Sequence, residues 1–275
     1  MASFSSSSSS SSSSIISKNV RIAIVSLKGR EDYITFLESS WKVVAVGATL
    51  EELQLSGGDA LYDATVVLTL RGNSKGLEDI VPSLPKLRWI HSISAGVEKI
   101  ISPDIINRSI FLTNAKGVMG SALAEYVLGS CLYFAKQFRH LIKAQNDREW
   151  KRGFQVKEIR GATMGILGYG DIGRACAKLA KACGMKVIGL RKHAPSSSDA
   201  ASDEFADEVV GSDRLMHVLQ TSDYLVIALA LTNETKLLLN KTHFLAAKPG
   251  QILINVSRGG VLVEDDLIEA LQNGP

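Results

Sequence analysis

Cysteine is scarce in this sequence: its 275 residues hold three, Cys131, Cys176 and Cys183, with no CxxC spacing among them. An odd, scattered set leaves no complete disulfide framework and no paired thiolates for a metal, so folding in a reducing compartment without a bound metal is expected. Long apolar runs are also lacking. No stretch approaches the roughly 18 apolar residues that cross a bilayer, which excludes a helical integral membrane protein. Nor does one sign of charge dominate. Lys and Arg number 31, Asp and Glu 28, and the net charge of +3 comes with no basic run of the kind that binds nucleic acid.

What is present is ordinary globular material. Hydrophobic residues make up 45% of the chain and charged residues 21%, enough apolar content to bury a sizeable core. The length has room for two domains of usual size. Residues 1–18 differ in kind, because residues 5–14 are an unbroken serine run that has no apolar surface to bury and predicts disorder. This leader has no acidic residue and is followed by Lys18 and Arg21, so a plastid transit peptide is the alternative to a cytoplasmic protein with a low-complexity tail.

Residues 19–119 alternate short apolar runs with polar helical stretches, the pattern of a layered α/β domain. Strands are predicted at residues 20–25, 42–46, 64–68 and 89–92, with a fifth at 110–113, and helices at 33–39 and 77–83. Pro82 and Pro85 mark the loop before Trp89. From residue 121 to about 148 the apolar residues recur at three- and four-residue spacing, which predicts one amphipathic helix. About 28 residues of helix span roughly 42 Å, long enough to bridge two domains or to lie in a subunit contact.

A second α/β domain is expected over residues 120–275, and its first unit carries the strongest signal in the chain. The short apolar strand at residues 163–167 runs into Gly168, Tyr169, Gly170, Asp171, Ile172 and Gly173, a GxGxxG turn. In this motif the first glycine permits a tight turn, the second lets the main chain approach a pyrophosphate, and the third lets helix pack on strand. Helical spacing then runs from Ile172 to Cys183, Gly184 supplies the stop, and a strand at residues 185–190 completes the βαβ unit of a Rossmann dinucleotide-binding fold. A pyrophosphate would rest on the helix N-terminus.

At the end of that second strand, where an acidic residue would bind the ribose 2′-hydroxyl of NAD, the chain has Arg191 and Lys192. A guanidinium holds a 2′-phosphate in a bidentate, charge-assisted contact, so NADP (NADPH) is expected to be preferred, with NAD possible. Further units follow: a helix near residues 213–220 and strands at 224–230 and 251–256. The loops after these strands open on the ligand side of the sheet, which adds Leu231, Thr232, Val256, Ser257 and Arg258 to the expected cofactor contacts; Thr232 and Ser257 are equally suited to cap a turn.

Residues 244–263 resemble the D-isomer-specific 2-hydroxyacid dehydrogenases over a long and specific stretch, and residues 94–97, 124–128 and 232–235 carry the same likeness. The resemblance implies a flavodoxin-like α/β substrate domain followed by the doubly wound cofactor domain, and hydride exchange between a nicotinamide and a small-molecule 2-oxoacid such as glyoxylate or hydroxypyruvate. It implies that Arg258 grips the substrate's carboxylate and carbonyl oxygen. The main-chain N–H groups of Ala95, Gly96 and Val97 would receive the carboxylate, and a complete chain would form a homodimer. Family members carry a glutamate and then a proton-donating histidine after the arginine. This sequence reaches Pro275 without either, and His91, His140, His193, His217 and His243 all lie outside that motif. The cofactor domain is therefore expected to be incomplete and the chain slow, since general acid–base help is typically worth about 10²–10⁴ in rate. The alternative, from another class, is a catalytically inactive NAD(P)-binding sensor or interaction protein.

Overall fold

The structure is a computed structural model that describes residues 20–26, 31–70, 77–97, 99–153, 155–193 and 203–274. The serine-rich leader lies outside the described residues. Two compact units divide the chain, Met1–Lys116 and Gly117–Pro275.

In the first unit, strands β1 (Arg21–Val25), β2 (Lys42–Gly47), β3 (Val66–Thr69), β4 (Trp89–Ser92) and β5 (Phe111–Asn114) form one parallel sheet in the order β2-β1-β3-β4-β5. This is the flavodoxin-like order. The helices of this unit are α1 (Glu31–Ser40), α2 (Leu50–Gly57), α3 (Leu77–Ser83) and α4 (Pro103–Asn107). Side-chain alternation sends Ala23, Val25, Val67 and Ile90 to one face, where Leu53, Ile80 and Ile105 of α2, α3 and α4 pack. Ile22, Ile24 and Val66 point to the opposite face, against which Ile34 and Leu37 of α1 pack. Helix α2 was not expected from periodicity, yet its start is a local sequence signal. Thr49 Oγ1 accepts from Glu52 N at 3.2 Å, and Glu52 Oε2 accepts from Ala48 N at 2.6 Å, a reciprocal cap that satisfies otherwise orphaned donors.

The second unit begins with α5 (Gly120–Ala135) and α6 (Phe138–Asn146), and here the expected single helix of residues 121–148 is corrected. Gln137 has φ +56°, a left-handed conformation that ends the first helix. The break is stabilised from outside: the Ala135 carbonyl accepts from Lys157 N at 2.8 Å, and Lys136 Nζ donates to the Lys157 carbonyl at 2.9 Å. Long-range partners take up the last-turn carbonyl, so no continuous rod of about 42 Å forms and the length argument for a bridging helix falls with it.

Strands β6 (Thr163–Leu167), β7 (Lys186–Leu190), β8 (Glu208–Val210), β9 (Tyr224–Ile227) and β10 (Ile252–Asn255) form the second parallel sheet, in the order β10-β9-β6-β7-β8. Counted within this unit, the order is 3-2-1-4-5 read from the β8 edge, that of a doubly wound dinucleotide-binding sheet, with its switch point between β6 and β9. Helix α7 (Asp171–Ala182) and α5 cover one face through Met164, Ile166, Val187 and Val226. Helices α8 (Leu215–Thr221) and α9 (Lys241–Leu245) cover the other through Leu167, Ile188, Leu225 and Ile227. Helix α10 (Glu264–Asn273) follows a short 3₁₀ turn after β10. Among the described residues no helix is long and apolar enough to cross a membrane.

Asp223 ties the amino ends of β6 and β9 together. Its Oδ2 accepts from Thr163 N at 2.8 Å and its Oδ1 from Lys248 Nζ at 2.6 Å. Burial pushes this carboxyl up, but the Lys248 hydrogen bond and the Thr163 N–H outweigh it and hold the group below its ordinary value of 3.8. A depressed folded-state pKa contributes stability above the unfolded value that is lost as pH falls through the folded one. Asp223→Asn is therefore expected to lower the melting temperature at neutral pH, and the gap between thermal scans of the two proteins should narrow as pH falls below the ordinary carboxylate range. A gap that stays constant with pH would refute this.

Candidate functional site

Ligands of doubly wound sheets bind outside the carboxyl ends of the strands. In the second unit these ends carry residues 168–173 after β6, Arg191 and Lys192 after β7, Leu231 and Thr232 after β9, and Val256, Ser257 and Arg258 after β10. All the candidate cofactor residues named above are thus brought to one edge of one sheet.

The three glycines of the turn differ in what they are for. Gly168 has φ +96°, and a Cβ there would lie 2.6 Å from the Ala228 carbonyl oxygen, so neither the conformation nor the space admits a side chain. Its N–H, and that of Tyr169, donate to the Leu190 carbonyl at 3.1 and 2.9 Å, which clamps the turn between the ends of β7 and β9. At Gly173 a Cβ would meet the Gly168 carbonyl oxygen at 2.4 Å and Ile166 Cγ2 at 3.0 Å, so glycine sets how close α7 lies to β6. A Cβ on Gly170, by contrast, would meet nothing within 4 Å. Glycine there leaves open main chain at the N-cap of α7, where Asp171, Ile172 and Gly173 contribute unpaired helix N–H groups. A tight turn, a close-packed helix and an open cap between them form a cradle that fits a pyrophosphate.

Arg191 reaches back to this turn. Its Nε donates to the Tyr169 carbonyl at 3.2 Å and its guanidinium stacks 5.4 Å from the Tyr169 ring centroid. Its Nη2 stands 4.0 Å from Asp203 Oδ2. Lys192 Nζ pairs instead with Glu234 Oε1 at 2.7 Å, linking the loops after β7 and β9. Thr232 sits in a tight hydroxyl-capped turn: its N–H donates to Thr235 Oγ1 at 2.8 Å, and Thr235 Oγ1 donates to the Ala230 carbonyl at 2.6 Å. The Thr232 Oγ1 in turn accepts from Thr235 N at 3.3 Å, so its side chain serves the turn, and its main chain follows the end of β9.

The loop after β10 is built by Asn255, which sequence reasoning passed over. Asn255 Oδ1 accepts from Ser257 N and Ser257 Oγ, both at 2.9 Å, and its Nδ2 donates to the Arg258 carbonyl at 3.1 Å. Polar residues that fold back on their own loop are turn formers, and an asparagine at a strand end was the available signal. Arg258 itself is exposed, and its Nη1 donates to the Ser257 carbonyl at 3.1 Å.

Ala95, Gly96 and Val97 follow β4, at the carboxyl end of the first unit's sheet. The buried Ser92 Oγ accepts from Ser94 N at 3.1 Å, and Asn114 Nδ2 donates to the Ala95 carbonyl at 2.6 Å. These contacts fix the start of the loop through the Ser94 N–H and the Ala95 carbonyl. A hollow of about 510 Å³ in the same unit, beside Trp89 and Phe111, opens at the amino ends of β3, β4 and β5, the end opposite this loop.

Four of the five histidines have local partners. His91 Nδ1 lies 2.8 Å from Thr113 Oγ1, His140 Nδ1 2.7 Å from Gln137 Oε1, and His217 Nε2 3.3 Å from Glu208 Oε2. His243 takes part in the N-cap of α9 with Asn240, and burial holds its pKa below the ordinary value. Among the described residues no cluster of His, Cys, Asp and Glu could hold a metal ion.

Fold and turn together define a dinucleotide-binding α/β protein of the doubly wound class. Residues 128–275 match the D-isomer specific 2-hydroxyacid dehydrogenase NAD binding domain. The chain is 30% identical over 246 residues to D-3-phosphoglycerate dehydrogenase of Methanocaldococcus jannaschii, covering 89% of this chain and 45% of that protein. It is 31% identical over 220 residues to glyoxylate reductase of Thermococcus litoralis, covering 77% and 64%. A solved D-isomer specific 2-hydroxyacid dehydrogenase family protein from Aeromonas salmonicida superposes with TM-score 0.76 at 26% identity, over 93% of this chain and 78% of that one. This chain belongs to the D-isomer specific 2-hydroxyacid dehydrogenase family. It spans about half to two thirds of the length of the two curated relatives just named.

Proposed function

We propose that the chain carries the cofactor-binding and substrate-orienting machinery of an NADP-preferring oxidoreductase acting on a short 2-oxoacid of the glyoxylate or hydroxypyruvate kind. The observation that carries this reading is the turn of residues 168–173, clamped at Gly168, close-packed at Gly173 and open at Gly170. The likeness to a glyoxylate reductase supports the substrate class. When bound, the nicotinamide supplies the hydride exchanged with the substrate's carbonyl carbon.

The chain's own residues bind and orient. Main-chain N–H groups at Gly170, Asp171, Ile172 and Gly173 hold the pyrophosphate, helped by the α7 dipole. Leu231, Thr232, Val256 and Ser257 line the cofactor's path across the strand ends, and Tyr169 backs Arg191, which faces the ribose 2′-phosphate with Lys192, paired to Glu234, beside it. One charged hydrogen bond is worth about 1.5–3 kcal/mol, so a preference for NADPH over NADH of roughly tenfold to a hundredfold is expected. Arg258 holds the substrate's carboxylate and offsets charge growing on its carbonyl oxygen, and the N–H groups of Ala95, Gly96 and Val97 receive the carboxylate.

The test is turnover. A form of this chain that also carries the family's glutamate and histidine is expected to oxidise NADPH, followed by its absorbance, when glyoxylate or hydroxypyruvate is added. Absence of turnover with any short 2-oxoacid would overturn the proposal.

A further inference from the structure

Behind Arg191 stands a carboxylate that the glycine motif does not include. Asp203 lies thirteen residues beyond the end of β7, and its side chain is only 7% exposed. Its Oδ1 accepts from the Tyr169 hydroxyl at 3.0 Å and from Phe205 N at 3.1 Å. Its Oδ2 forms a close ion pair with Arg174 Nη1, in the first turns of α7, and faces Arg191 Nη2 at 4.0 Å. Burial, and then Asp203 as acceptor, push the Tyr169 hydroxyl well above its ordinary range and keep it a donor.

The arrangement places one carboxylate between the guanidiniums of two side chains that are 43% and 40% exposed, so the cluster carries one net positive charge rather than two. The direct contacts that place Arg191 do not include Asp203. Its Nε bond to the Tyr169 carbonyl and its stacking on the Tyr169 ring involve neither carboxylate oxygen, and that ring is itself buried against Gly189. The 4.0 Å separation is beyond hydrogen-bond range, so Arg191 feels the charge of Asp203 without spending its terminal donors on it. Removing the charge would then change the field at Arg191 far more than its place.

We propose that Asp203 is a positioning and selectivity residue: a buried counter-charge, shared by Arg174 and Arg191, that sets how strongly the site distinguishes NADP from NAD. Its negative charge opposes a ribose 2′-phosphate on Arg191 and leaves a 2′-hydroxyl unaffected. Arg174 acts from the other side by absorbing part of that charge. This rests on the reading that Arg191 faces the 2′-phosphate.

The experiment measures NADPH and NADH binding to the 275-residue chain by nicotinamide fluorescence, with folding followed by circular dichroism. Asp203→Asn keeps the side chain's shape and an acceptor for Tyr169. It is expected to tighten NADPH about tenfold and leave NADH unchanged, the scale of one unit charge a few ångströms beyond the contact at intermediate dielectric. Arg174→Met leaves Asp203 facing Arg191 alone and is expected to weaken NADPH by a similar factor, again without effect on NADH. A purely structural role would move both cofactors together and both variants in the same direction, and either pattern overturns the proposal, as does an unchanged NADPH affinity in both. If Asp203→Asn does not fold, Arg174→Met decides alone. Arg191→Ala separates the two levels: if it leaves the NADPH to NADH ratio untouched, the 2′-phosphate reading itself fails. If it weakens NADPH selectively while the other two variants do nothing, only the role of Asp203 falls.

Discussion

Replacing Arg258 with alanine is expected to lower kcat/KM for glyoxylate by about 10²–10³, the usual cost of losing one donor aimed at a developing oxyanion. The expectation applies to a form that carries the family's glutamate and histidine, and it comes from how the residue is mounted. Asn255 grips the main chain on both sides of residue 257, through Ser257 N and the Arg258 carbonyl, so the base of the Arg258 side chain is fixed to the end of β10 while the guanidinium is exposed. Lysine should rescue little, because a point charge cannot match the planar fork that engages carboxylate and carbonyl oxygens together. NADPH affinity, measured by fluorescence, should stay within about threefold, because Arg258 is one of several cofactor contacts along the strand ends and its larger role is toward substrate. A variant whose kcat/KM is unchanged would remove Arg258 from the site.

Replacing Gly173 with valine should abolish binding of NADPH and NADH alike. The new Cβ would stand 2.4 Å from the Gly168 carbonyl oxygen, so α7 must move off β6 and carry its N-terminal donors away from the turn. Overpacking of this kind typically costs about 1–3 kcal/mol, so a lowered melting temperature should accompany the loss. Gly170→Ala separates the two effects. Nothing lies within 4 Å of the added methyl group, so the melting temperature should hold while cofactor affinity falls, because only ligand space is invaded. Full cofactor affinity in both variants would dismantle the cradle.

The legibility of this molecule in its sequence varied with the range of the forces involved. Strands β4 and β6 and helix α3 fell where alternation and apolar runs placed them; β6, buried on both faces, is readable because such a parallel strand must be apolar almost throughout. The glycines were readable because each answers a local steric demand. Helix α2 was missed although Thr49 and Glu52 spell its cap, since its apolar stripe is short and only Leu53 is buried. The break at Gln137 could not have been read: apolar spacing continues through it, and what stops the helix is Lys157, twenty residues further on.

The amino-acid order by itself determined the α/β class, the glycine turn and the basic residue at the end of the strand that follows it. These are short-range matters: backbone sterics, side-chain alternation and the spacing of one βαβ unit. Only the tertiary structure decided what surrounds Arg191, because Tyr169, Arg174 and Asp203 come from a turn, a helix and a distant loop, and their side chains meet only once the sheet has brought those segments together. A field depends on distance through space, and distance through space is what a linear reading does not contain.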